Sequence, residues 1–129
     1  VQESSGTKKL LALFETIDDA LTNGKTLFID VFDAKLHPLV LQKLLDLFRS
    51  SKTNKKNSQL IFVSKDIYSL DRNVLRRDEI LFVDKNKKGE SVLYPLHTIV
   101  TGKNKVRNDA SFVKDYVSGK YGAIPDLNY

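Results

Sequence analysis

Apolar residues recur at three- and four-residue steps near the start of the chain, which predicts an amphipathic helix. The positions are Leu10, Leu13, Phe14, Ile17 and Leu21. The pattern ends at Asn23 and Gly24, and glycine commonly follows a helix C-terminus because it adopts positive φ angles at no steric cost. We therefore expect a helix that ends here and turns its apolar face toward a core.

Two short apolar runs follow, and each has the length of a buried β-strand. The first, Thr26–Ile29, is closed by Asp30, and the second is Leu60–Val63. Between them, Pro38 fits the first turn of a second helix and is followed by a polar loop from 50 to 58. The apolar face of that helix comprises Leu41, Leu44, Leu45 and Phe48. Helix, strand, helix, strand predicts the α/β class, with parallel strands buried on both faces between helices.

The second half of the chain has the pattern of a β-hairpin. Ile80–Val83 and Ser91–Tyr94 are apolar and flank a charged stretch, 84–90, that contains a glycine. A last short helix is predicted over 111–117, ended by Gly119. We expect parallel core strands in the first half and a hairpin and a helix in the second.

Length and composition narrow the possible classes of protein. The chain has 129 residues, of which 41% are apolar, so we expect a single folded domain. It has no Cys and only two His, which excludes a disulfide framework, a thiolate zinc site and a His-rich metal site. There is no apolar run of roughly 18 residues and no signal-peptide pattern, so we predict a cytoplasmic protein without a membrane partner.

The net charge of +5 would suit a nucleic-acid partner only if the excess were concentrated. Residues 1–65 carry ten basic and seven acidic side chains, and residues 66–129 carry eleven and nine. The densest basic segment, Arg49–Lys56, contains no aromatic residue for base stacking. We interpret this segment as a solvated loop and expect no direct contact with nucleic acid.

Gly24-Lys25-Thr26 has the letters that end a phosphate-binding P-loop, but its context is wrong. Asp19 stands where the motif needs its first glycine, and the tripeptide closes a helix instead of opening one. No other Gly-Lys-Ser/Thr occurs, so these 129 residues contain no P-loop.

Several segments occur in an order that is typical of one ATPase family. Leu27–Asp30 is an apolar strand that delivers an Asp, as in the magnesium-binding motif of P-loop ATPases. It is preceded by Glu3–Thr7 and followed by Asp33–Pro38. Further matching segments are Gln59–Ser64, Leu75–Ile80, Val106–Asp109 and Gly119–Pro125. Together they resemble the C-terminal half of the bacterial ATP-binding-cassette-like ATPases of the AAA family, a group that includes abortive phage infection proteins.

This resemblance implies a set of site residues and cofactors. The signature motif, which in the family caps ATP held by the P-loop of a partner, corresponds to Ser4, Ser5, Gly6 and Thr7. Asp30 would bind Mg²⁺, and Asp33 and His37 would lie in the dimer-interface loop. Free N–H groups and the positive end of the dipole at a helix N-terminus favour phosphate, so ATP and Mg²⁺ are expected to be bound in trans.

Two residues depart from the family pattern. Val31 occupies the position of the Glu that orients water, and Lys65 that of the His that senses the γ-phosphate. Valine cannot accept a proton, and lysine stays protonated at neutral pH unless it is strongly buried. We therefore expect a truncated, degenerate ATPase domain that does not hydrolyse ATP alone. Residues 1–129 would form a single partial domain that lacks the P-loop half. Whether the protein is an enzyme stays open.

The resemblance also implies partners: a second copy or another ATPase chain that carries a P-loop, with a phage-defence effector. The alternative is a scaffold that retains the ATPase shape and docks a partner without nucleotide. Arg76, Arg77 and Arg107 also have two interpretations, since they could contact phosphate or pair with neighbouring acids such as Asp78 and Glu79.

Overall fold

The computed structural model describes residues 5–30, 37–65, 67–107 and 110–124. The chain divides into two compact units, Val1–Asp66 and Ile67–Tyr129. Within these described ranges, no helix is both long and apolar enough to cross a membrane.

The first unit contains two helices and two strands in the predicted order. They are α1 (Ser5–Asn23), β1 (Thr26–Ile29), α2 (Pro38–Arg49) and β2 (Gln59–Phe62). The strands pair in parallel, with Thr26 opposite Gln59 and Ile29 opposite Phe62. The α/β class and the parallel pairing are confirmed.

The buried apolar residues of the first unit belong to α1 and α2. They are Ile17, Ala20, Leu41, Leu44 and Leu45. Phe14 differs from the prediction, because 44% of its surface is exposed although it belongs to the same periodic set. The apolar face of α1 is broad, and Phe14 lies at its margin, where the side chain stays in solvent.

The prediction that both strands are buried on both faces is wrong for this structure. Burial alternates along each strand, as expected when only one face is covered. Leu27 and Leu60 are partly covered, whereas Phe28 is 64% and Ile61 is 46% exposed. A continuous apolar run indicates that both faces of a strand can be buried, but it does not specify which elements pack against them.

The second unit is built on the predicted hairpin and helix, with one small hairpin that the sequence did not reveal. The elements are β3 (Leu81–Lys85), β4 (Ser91–Pro95), β5 (Val100–Thr101), β6 (Asn104–Lys105) and α3 (Phe112–Val117), with 3₁₀ turns at Ile67–Leu70 and Leu96–Thr98. β3 and β4 are antiparallel, as are β5 and β6. β5 and β6 have two residues each, too few for a period-2 pattern to be seen.

Aromatic side chains from the hairpin and the C-terminal part pack together in the core of the second unit. The ring of Phe82 stacks on that of Tyr116 at 5.5 Å and lies 5.8 Å from that of Tyr121. The buried residues of this core are Ile80, Phe82, Leu96, Val106, Phe112 and Tyr121. These aromatic residues form the core of the second unit, whereas Phe14 and Phe28 of the first unit are exposed.

Candidate functional site

The predicted magnesium residue lies where the two parallel strands end. Asp30 directly follows β1, and Lys65 lies three residues beyond the end of β2. The N–H of Val63 donates to the carbonyl oxygen of Ile29 at 3.0 Å, so the pairing continues to the last residue of β1. Asp30 and Lys65 are both exposed at this edge. Ligands of open α/β sheets bind at the carboxyl ends of the strands, so this is the candidate site.

Asp30 fits one kind of metal site. Among the residues that the structure describes, no three His, Asp or Glu side chains are close enough to form a metal cage. A single exposed carboxylate suits Mg²⁺, which keeps several waters and is held by one or two carboxylates together with substrate phosphates. Among the described residues, the site therefore offers one carboxylate, which fits a magnesium ion that phosphate and water also hold.

Three of the four predicted nucleotide-binding residues lie at the start of α1. Ser5, Gly6 and Thr7 form its first turn, where the backbone N–H groups have no partner within a helix. Ser4 lies outside the described residues, as do Val31 and Asp33.

His37 has a clear structural role. It is the N-cap of α2, and its Nδ1 accepts a hydrogen bond from the N–H of Leu39 at 3.2 Å. Pro38 begins the helix, as the sequence predicts. The interface role of His37 remains a prediction, and its exposed side chain leaves it available for contact.

Arg76 and Arg77 make structural contacts within the second unit. Arg76 pairs with Asp78 at 3.1 Å and with Glu79 at 3.6 Å. Nη1 of Arg77 donates to the carbonyl oxygen of Val106 at 2.6 Å. These bonds support the structural interpretation of the two arginines over phosphate binding.

The loop between α2 and β2 is more ordered than its polar composition suggests. Nδ2 of Asn54 donates to the carbonyl oxygens of Phe48 and Ser58, both at 2.8 Å, and its Oδ1 accepts from the N–H of Ser58 at 2.7 Å. Oγ of the buried Ser58 donates to the carbonyl oxygen of Ala20 at 2.7 Å. Asn and Ser readily form such turns, but Ala20 is too distant in the sequence to be recognised as a partner.

Comparison with known proteins identifies the family. A family model described as "AAA domain, putative AbiEii toxin, Type IV TA system" matches residues 1–71. Searches of curated proteins and of solved structures found no match. The matched region covers more than half of the chain and includes α1, both parallel strands and the edge that carries Asp30. The chain therefore belongs to this AAA-domain family.

Proposed function

We propose that the first unit contributes part of the nucleotide site of an ATPase domain and contacts ATP held by a P-loop on another polypeptide. The observation that carries the proposal is the parallel pairing of β1 and β2 with Asp30 at their carboxyl edge, within the region that matches the family. The sequence supplies the remaining support, because it contains the signature segment.

Each residue of the proposed site has a separate role. The Asp30 carboxylate would hold Mg²⁺ directly or through water, and bound Mg²⁺ would neutralise charge on the phosphates. The Lys65 ammonium, exposed at the same edge, is a point charge that can bind a phosphate oxygen. The first-turn N–H groups of Ser5–Thr7 would contact phosphate from the opposite chain.

The chain alone should not turn over ATP. Val31 cannot act as a general base, and the loss of such a group typically costs a factor of about 10² to 10⁴ in rate. Phosphate release by the purified chain with Mg²⁺ and ATP should equal that of a buffer blank. Turnover above the blank that disappears in Asp30→Ala would contradict this prediction.

Binding in trans can be measured with fluorescently labelled ATP. The nucleotide is titrated into this chain, a full-length ATPase of the family, and their mixture. We expect the mixture to bind more tightly than the ATPase alone. This gain in affinity should disappear with Gly6→Val or Ser4→Ala in the signature motif, and with Asp30→Asn at the magnesium position. The control is Asp46→Asn, which neutralises an exposed carboxylate on α2 and should keep the gain. A mixture no tighter than the ATPase would refute the proposal.

One observation favours the alternative, a docking module without nucleotide. The side chains of Phe28, Ile61 and Val63 leave apolar surface exposed on and beside the parallel strands. If this chain and the ATPase co-elute while ATP affinity is unchanged by their mixing, the docking function replaces the nucleotide function.

The biological setting that we propose is phage defence, in which the ATPase controls an associated effector. The family description, which refers to a toxin–antitoxin system, supports this setting. In a bacterial host that carries the complete defence locus, Asp30→Ala should restore phage plating, whereas Asp46→Asn should not.

A further inference from the structure

A groove of about 440 Å³ lies in the first unit, away from the carboxyl edge. It runs between the C-terminal half of α1 and the loop that follows α2. Phe14, Leu21 and Leu47 supply apolar surface along it. A lysine wall, formed by Lys52, Lys55 and Lys56 of the basic segment 49–56, also lines the groove.

The lysine wall is concentrated and attached to an ordered backbone. All three lysines are exposed, and no carboxylate of the described residues forms an ion pair with them. Oγ1 of Thr53 donates to the carbonyl oxygen of Leu47 at 2.6 Å, and Asn54 bonds to both ends of the loop. The charges therefore project from a fixed backbone beside the groove, although each side chain can move.

The apolar surface continues from the groove along α1. Leu11 is 56% exposed and lies one turn before Phe14, and Leu21 lies two turns after Phe14. The stripe from Leu11 to Leu21 is about 15 Å long, which corresponds to about three helical turns. An apolar surface of this length next to the lysine wall is complementary to one face of an amphipathic helix.

We propose that this groove binds an acidic amphipathic helix of a partner protein. The apolar face of that helix covers Phe14 and Leu21, and its carboxylates face Lys52, Lys55 and Lys56. A nucleic-acid strand fits less well, because Phe14 is the single aromatic ring among the residues that line the groove, whereas strands are held by bases stacked on several rings.

The probe for this proposal is a fluorescently labelled helical peptide of about 15 residues, measured by anisotropy with the full chain. It carries Leu at helical spacing and Glu along both flanks of the Leu stripe. A second peptide has Gln at every Glu position, and single-stranded DNA of equal charge is the third probe. We expect saturable binding of the Glu peptide, about tenfold weaker binding of the Gln peptide, and weaker binding at high salt.

Charge reversal tests the location of the site. The triple variant Lys52→Glu, Lys55→Glu, Lys56→Glu should weaken binding of the Glu peptide by about tenfold or more. The matched control reverses Lys85, Lys87 and Lys88, which are exposed in and beside the β3–β4 turn, and should leave affinity within about twofold. Phe14→Ser should also weaken binding, with Leu81→Ser as its control; circular dichroism confirms that each variant is folded.

Three outcomes would overturn the proposal. In the first, the Glu peptide does not bind saturably. In the second, the two triple variants weaken binding of the Glu peptide equally, which would indicate only general charge attraction. In the third, DNA binds through Lys52, Lys55 and Lys56 while the peptide does not, and the groove is then a nucleic-acid site.

Discussion

Tyr121 shows how one buried residue in the second unit couples stability to alkaline pH. Its hydroxyl donates to Oδ2 of Asp115 at 3.2 Å. Burial, together with the negative charge of Asp115, raises the pKa of Tyr121 from 10.0 to about 12. The unfolded chain therefore releases this proton first, so the stabilisation is fully present below about pH 10 and is lost as pH rises toward 12.

Tyr121→Phe should reduce this alkaline loss of stability. The measurement is the free energy of urea unfolding at several values between about pH 9 and pH 12. Some pH dependence should remain, because burial and the charge of Asp84 also raise the pKa of Tyr94. An unchanged slope in Tyr121→Phe would contradict the assignment.

Alanine substitutions at Gly24 and Gly102 distinguish the cost of backbone strain from the cost of steric contact. The φ angles of the two glycines are nearly equal, +69° and +68°, in the region that favours glycine. A Cβ at Gly24 would lie 3.1 Å from Cβ of Lys56, whereas one at Gly102 would meet no atom within 4 Å. Both Ala variants should lose about 1 kcal/mol from the backbone, and Gly24→Ala should lose roughly 1 kcal/mol more from crowding.

Thermal and urea unfolding of the two variants measure that difference. The comparison isolates the contact because the φ angles of the two glycines match. Equal destabilisation by the two substitutions would contradict the prediction, because it would show that the loop at Lys56 shifts to accommodate the added methyl group.

At the scale of the element, α2 depends on a capping bond that an imidazole supplies. Nδ1 of His37 accepts from the N–H of Leu39, which would otherwise lack a partner in the first turn. His37→Ala should lower the free energy of unfolding by about 1 kcal/mol. His37→Asn should keep most of the stability that the cap supplies, because Asn is a preferred N-cap residue. An Asn variant as unstable as the Ala variant would argue against the cap as the cause.

The elements themselves were largely predictable from local patterns. Three- and four-residue periodicity located α1 and α2, and the glycine-containing charged stretch located the β3–β4 hairpin. The burial of the strands was not predictable, because Phe28 and Ile61 have the same apolar chemistry as Leu27 and Leu60 but point to the opposite face.

At the scale of the molecule, both units present exposed apolar strand residues. In the first unit these are Phe28 and Ile61, and in the second they are Leu81, Val83 and Leu93. Such faces and their unpaired strand edges favour association. We expect sedimentation velocity to show concentration-dependent self-association of the full chain.

Two variants identify the face that is responsible. Phe28→Ser with Ile61→Thr tests the parallel strands, and Leu81→Ser with Leu93→Ser tests the hairpin, with circular dichroism as the control for folding. A monodisperse, thermally robust monomer of the wild-type chain would refute the prediction.

The sequence alone determined the properties that depend on neighbours along the chain. These are the end of α1 just before Gly24, the start of α2 at Pro38, the hairpin, and the position of Asp30 after a strand, which places it at the carboxyl edge once the strands are parallel. Only the tertiary structure decided the exposure of Phe14 and the order of the basic loop. Both depend on contacts between distant segments: the Ser58 hydroxyl bonds to a carbonyl 38 residues earlier, and no local pattern specifies that partner.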